Sequence, residues 1–131
     1  MNFSLEIITP RGIYFKNEVS SLTIKLSSGY RTILAGHAPL IGSLSYAPMH
    51  LVRDGKTYEY AVHGGAINIT KEKVSVVCNA IESKFEIDLA RAKAAKERAE
   101  KRLHDKNANL DVKRAELALR RALTRVELAS K

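Results

Sequence analysis

The chain has 131 residues, a formal net charge of +8 and a single cysteine, Cys78. A lone cysteine excludes an internal disulfide framework and is typical of a reducing compartment. Because the sequence has no signal-peptide pattern and no apolar run of membrane-spanning length, we expect a chain that is soluble as made. The charge is uneven: residues 87–131 hold 13 Lys and Arg against 7 Asp and Glu, whereas residues 1–86 hold 9 against 7. Such a basic segment predicts an anionic partner, namely a nucleotide, a nucleic acid or an acidic protein surface.

Residues 1–84 alternate apolar and polar side chains in short runs that turn residues interrupt. Asp54-Gly55, between two such runs, is a strong hairpin signal. Gly64-Gly65 predicts a further turn. Turn signals at this spacing predict an antiparallel β-sandwich or barrel.

Residues 85–131 have the composition of two helices. They contain no Gly or Pro, and Ala, Leu, Glu, Lys and Arg dominate. The short polar break at 104–109 predicts a turn between two antiparallel helices. Each half opens with an aspartate, Asp88 or Asp111, where a carboxylate would cap the first free amides. The whole chain is therefore predicted to be a segregated α+β protein, with an N-terminal antiparallel β-sandwich and a C-terminal antiparallel two-helix hairpin.

Arginines recur at the same spacing in the two predicted helices. If the alanine and leucine faces of the helices pack together, both rows of arginines can border one groove. A groove lined by guanidinium groups is suited to phosphate, because the planar fork pairs bidentately with phosphoryl oxygens. The same pattern is also typical of helices whose charges are simply solvated. The two rows are Arg91, Arg98 and Arg102, and Arg114, Arg121 and Arg125.

The sequence offers no catalytic constellation. The four histidines lack metal-ligand spacing and Cys78 has no Cys-x-x-Cys partner, so we predict no metal site. No Walker-type phosphate loop occurs, so a nucleotide would be bound without the machinery that cleaves phosphate. We expect a non-catalytic protein.

Five motifs follow one another in a fixed order along the whole chain. They are Gly36-His37-x-Pro39-Leu40, His63-Gly64-Gly65, Ile87-Asp88-x-x-Arg91-Ala92, and the helical stretches 93–100 and 114–119. Together they resemble the epsilon subunit of bacterial F-type ATP synthase, and are most similar to the ATP-sensing form of bacilli. The sequence departs from the family pattern at Thr32, Ala35 and Asn68, all within the predicted sandwich.

The resemblance implies a regulatory and coupling subunit of the synthase central stalk. Its sandwich would link the gamma subunit to the c-ring. Its hairpin would bind ATP when folded down and would inhibit ATP hydrolysis when extended into the alpha/beta catalytic head. The protein would be peripheral to the cytoplasmic face of the bacterial cell membrane and would reach the membrane only through the complex. ATP is thus implied as a regulatory ligand, with the participation of magnesium left open.

The resemblance also implies an ATP site. Its guanidinium groups would contact the triphosphate. Asp88 either orients Arg91, contacts the polar edge of the ligand, or only caps the helix. Glu82 either pairs with an arginine or contacts adenine or ribose. The matching residues are Glu82, Asp88, Arg91, Ala92, Arg98, Arg121 and Arg125.

Two other functions stay open at this point. One is a purely structural rotor subunit without ATP sensing. The other is a basic nucleic-acid-binding protein, which the isoelectric point near 9.7 permits. The predicted helices, however, lack aromatic residues that could stack on bases.

Overall fold

A computed structural model describes residues 1–104 and 112–130 of the chain. Within these residues eight strands come first, followed by one 3₁₀ turn and two helices, so the predicted α+β order is confirmed. The predicted interhelical turn after His104 and the predicted cap at Asp111 lie outside the described residues. The elements are β1 (Phe3–Thr9), β2 (Gly12–Val19), β3 (Ser21–Leu26), β4 (Gly29–Leu34), β5 (Leu40–Arg53), β6 (Lys56–Ile69), β7 (Val74–Cys78), β8 (Ile81–Ser83), the 3₁₀ turn (Lys84–Glu86), α1 (Leu89–His104) and α2 (Val112–Ala129).

The strands form one folded-over sheet in the order β2-β1-β7-β6-β5-β3-β4, and β8 pairs with β6. Neighbouring strands run antiparallel, as predicted, except that β1 and β7 are parallel. Leu5 lies opposite Val74 in that pair. Local alternation cannot predict such a pair, because it says nothing about which distant strand lies alongside.

The sandwich core is built by alternation within the strands, since residues two apart point to the same face. In β1, for example, Leu5 and Ile7 are buried, and in β7 Val74 and Val76 are buried. All of these join one apolar cluster. Cys78 belongs to the same cluster, and burial raises the pKa of its thiol to about 11. The side chain therefore stays a neutral thiol that packs like a small hydrophobic residue.

One of the two predicted glycine turns is confirmed and the other is wrong. Asp54-Gly55 joins β5 to β6 as a two-residue hairpin with φ of 52° and 76°. Gly64-Gly65 is not a turn, because β6 continues through both residues. A Cβ at Gly65 would lie 2.1 Å from the carbonyl oxygen of Val77, so this glycine is required by the close approach of β7.

The two helices pack against each other, and α2 also packs on β5 and β6. The alanine and leucine faces of the two predicted helices are buried or half-buried, as expected for a seam. Ala92, Ala99 and Leu128 are buried, and Leu89, Leu103, Leu117 and Ala118 are half-buried. Neither helix has an apolar stretch long enough to cross a membrane.

The hairpin lies on the outer face of the sandwich. In β6, Val62 points into the core, so Ala61 and His63 point to the opposite face. Pro48 and Tyr46 of β5 lie opposite these two residues in the sheet. Ala61 and His63 are nonetheless buried, because α2 covers this face.

Candidate functional site

A cavity of about 410 Å³ lies where the 3₁₀ turn, the start of α1 and the end of α2 meet. This volume suits a small molecule. Six of the seven predicted site residues lie together here, and Arg121 is not among the lining residues. The lining residues are Glu82, Glu86, Ile87, Asp88, Arg91, Ala92, Ala95, Arg98 and Arg125.

Arg121 lies one turn before Arg125 on α2 and is half-buried. Its positive charge acts on the imidazole of His63, beneath the helix. Arg121 is therefore outside the wall of the cavity, although its charge reaches the buried His63.

Asp88 caps the first turn of α1. Its Oδ1 accepts a hydrogen bond from the backbone N–H of Arg91 at 3.1 Å. This confirms the capping role, and the cavity is lined by residues at this end of the helix.

Glu86 is held from two sides. Its Oε1 accepts hydrogen bonds from the Ser83 hydroxyl at 3.0 Å and from the Tyr14 hydroxyl at 3.4 Å. Burial and the nearby Glu86 charge raise the pKa of Tyr14 to about 12, so the phenol stays a donor at neutral pH. Sequence reasoning missed this pair, because no motif connects residues 72 positions apart.

Glu82 joins three elements. Its Oε1 is 2.9 Å from Nε2 of His63 on β6, and it also accepts a hydrogen bond from Nε of Arg125 on α2. Burial alone would raise the pKa of Glu82, but the hydrogen bonds from His63 and Arg125 outweigh it, and the pKa lies below its ordinary value. Of the interpretations proposed for Glu82, the structure shows the pairing with an arginine.

The guanidinium groups of Arg91 and Arg98 remain uncommitted. Both side chains are exposed in the cavity, and within residues 1–104 and 112–130 neither is bonded to a carboxylate. The acidic residues of the wall, in contrast, already accept hydrogen bonds from the protein. The cavity thus presents two planar cations to a ligand, and both phosphate and carboxylate groups can pair with them bidentately.

A second cavity, of about 500 Å³, lies on the other side of Glu82 and Glu86, against the turn between β1 and β2. Arg11 is the one arginine in its wall, so phosphate chemistry favours the first cavity. Among the described residues, no three His, Cys, Asp or Glu side chains come together as a metal site.

Nearly the whole chain matches two family models. Residues 2–84 match the beta-sandwich domain of the ATP synthase delta/epsilon chain, and residues 86–130 match its long alpha-helix domain. The chain is 41% identical over 128 residues to the ATP synthase epsilon chain of Bacillus cytotoxicus, covering 98% of this chain and 96% of that one. It is 40% identical over 129 residues to the epsilon chain of Natranaerobius thermophilus, covering 97% and 92%.

Solved structures show the same fold. A chain of the Euglena gracilis mitochondrial ATP synthase matches with a TM-score of 0.86 at 20% identity, covering 99% of this chain and 82% of that one. A chain of the Tetrahymena thermophila mitochondrial ATP synthase central stalk and c-ring matches with a TM-score of 0.61 at 14% identity, covering 99% and 95%. By both domains and by its full-length relatives, the chain belongs to the ATP synthase delta/epsilon chain family.

Proposed function

We propose that this chain is the regulatory epsilon subunit of a bacterial F-type ATP synthase central stalk, and that it binds ATP in the arginine-lined cavity when its hairpin is folded down. The observation that supports this most is the pair of uncommitted guanidinium groups, Arg91 and Arg98, in a cavity that also includes Arg125 of the second helix. A ligand that contacts both helices there binds only while they are folded against the sandwich.

The triphosphate is the part of ATP that suits this cavity. Arg91 and Arg98 of α1 and Arg125 of α2 supply forked donors, and the N-terminal end of α1 adds its dipole. Glu82 keeps Arg125 in place at the wall. Arg121 lies one turn before Arg125 on α2 and adds a further positive charge to that helix.

Binding to the folded state alone couples ATP to the position of the hairpin. At one hundred times its dissociation constant, such a ligand stabilises the folded state by about 2.7 kcal/mol. That is enough to reverse a modest preference for opening. When ATP falls, the hairpin opens and its basic helices reach the acidic surface of the alpha/beta head, where they inhibit hydrolysis. The sandwich meanwhile joins the gamma subunit to the c-ring, and the protein meets the cytoplasmic face of the membrane only through that complex.

Arg91→Ala should weaken ATP binding by about 10- to 150-fold, because hydrogen bonds to charged groups contribute about 1.5–3 kcal/mol. Calorimetric titration of the full chain with ATP, with and without magnesium, measures the change. Arg120→Ala is the matched control, since Arg120 is exposed on α2 outside the cavity. Equal affinities for wild type and Arg91→Ala would exclude the phosphate role.

The same titration separates the proposal from the alternatives. Saturable one-to-one binding of ATP, weaker for ADP, supports a nucleotide sensor. No heat with either nucleotide leaves a structural rotor subunit without sensing. Salt-dependent binding of a short DNA duplex would support a nucleic-acid-binding protein instead.

A further inference from the structure

His63 stands out among the described residues because its imidazole is buried to 1% exposure on the outer face of β6, away from the apolar core. His63 does not line the arginine-lined cavity and is not part of the apolar core cluster. Its Nε2 is hydrogen-bonded to Glu82, whereas its Nδ1 is buried without a hydrogen-bond partner.

We propose that His63 is a positioning residue that holds Glu82 in place for Arg125, and that closure of the hairpin therefore depends on the protonation of this one imidazole. The inference rests on the proposed function in one respect, namely that the hairpin opens and closes. It deepens that function, since a change in pH would then alter the same equilibrium that ATP alters.

The hydrogen bonds assign the neutral form of His63. The Glu82 carboxylate can only accept, so the imidazole proton lies on Nε2 and is donated over 2.9 Å. The same carboxylate oxygen accepts from Nε of Arg125, which makes Glu82 a bridge between β6 and α2. Nδ1 then carries a lone pair, and protonating it would create a buried N–H without an acceptor.

The surroundings of His63 also favour the neutral form. Glu82 faces it from β8, Arg121 and Arg125 face it from α2, and the ring of Tyr46 on β5 lies 6.0 Å away. Burial lowers the pKa of His63 below its ordinary value. The two guanidinium groups act in the same direction, against the opposing effect of Glu82.

The direction of the pH effect follows from these contacts. When α2 leaves the sheet, the imidazole is exposed and regains an ordinary pKa near 6.5. As the pH falls below about 6.5, the open state takes up a proton that the closed state does not, so closure weakens. Above about pH 7.5 both states are neutral and closure does not change with pH. The pKa of Glu82 is also lowered, so protonation of Glu82 weakens closure as well, but at more acidic pH.

Hydrogen exchange of the α2 amides in the full chain, without nucleotide, tests the inference. An undocked hairpin is only marginally helical, so protection of α2 reports docking once it is corrected for the intrinsic exchange rate. Wild-type protection should be constant from pH 8 to 7.5 and should fall by up to about tenfold towards pH 5.5. Tenfold is about the most that one titrating group with a pKa near 6.5 in the open state can contribute by pH 5.5. His63→Gln keeps an N–H donor but does not titrate, so its protection should stay flat over this range. His63→Ala should be less protected at pH 7.5 and equally flat.

Wild-type protection that does not change between pH 7.5 and 5.5 would overturn the inference, as would an unaltered pH dependence in His63→Gln. Exchange of the β7 amides shows whether each variant keeps its sandwich, and if His63→Ala does not, the His63→Gln profile alone decides. Because no nucleotide is present, a failure of ATP binding leaves this result intact, and a flat pH profile leaves ATP binding intact.

Discussion

Gly65→Ala should lower the free energy of unfolding by more than about 4 kcal/mol, the range reached only when a substitution breaks the packing of the fold. Gly65 has φ of 140°, and a Cβ there would lie 2.1 Å from the Val77 oxygen and 2.7 Å from the Cys78 Cα. Both obstacles are backbone atoms of the neighbouring strand, so no side chain can move aside. Urea denaturation followed by circular dichroism measures the loss.

Gly12→Ala is the matched control for Gly65→Ala. Gly12 also has positive φ, 118°, but nothing lies within 4 Å of a Cβ at that position. Backbone strain alone should cost about 1–3 kcal/mol there. If both variants lose the same stability, the close approach of β7 to β6 is not what requires glycine at residue 65.

Leu128→Ala should destabilise docking of the hairpin by about 2–5 kcal/mol, the usual cost of truncating a buried leucine. Leu128 is 1% exposed on α2, the helix that packs on α1, β5 and β6. The loss appears as faster hydrogen exchange in α2 while the β7 amides stay protected. ATP should also bind more weakly, because a smaller fraction of molecules holds the binding-competent form.

Leu123→Ala removes the same group from the same helix at a position that is 43% exposed. The free energy of docking, measured from α2 exchange, should change by no more than about 0.5 kcal/mol, as for surface substitutions in general. Equal exchange in the two variants would show that the buried face of α2 does not hold the hairpin against the sandwich.

The helices and their seam follow from local sequence. Residues 85–131 lack Gly and Pro, so nothing interrupts the helical preference. Asp88 supplies the cap that the sequence indicates. Alanines and leucines recur on one face, which predicts that the helices bury that face, and Ala99 and Leu128 are indeed buried.

Much of the candidate site also follows from spacing. Arg91 and Arg98 are seven residues apart and share one face of α1, and antiparallel packing brings Arg125 opposite. Spacing alone does not place Arg121 in the cavity wall. Arg121 precedes Arg125 by four residues, and four residues turn about 40° further than one full turn of the helix. Arg121 accordingly does not line the cavity, whereas Arg125 does.

What the sequence could not predict involves partners that are distant in the chain. The His63-Gly64-Gly65 motif does not indicate a partner for His63, and its contact with Glu82 arises only when β8 pairs with β6. Gly64-Gly65 is ambiguous, since positive φ suits a turn and a bend within a strand equally well. The role of Gly65 becomes clear only when β7 lies beside it.

The coupling between ATP and the hairpin is tested most directly by hydrogen exchange of α2 with and without nucleotide. At one hundred times the dissociation constant, ATP should raise the protection of the α2 amides about 100-fold, and Arg91→Ala should need about 10 to 150 times more ATP for the same gain. If calorimetry shows ATP bound but α2 exchanges equally fast with and without it, ATP does not hold the hairpin against the sandwich.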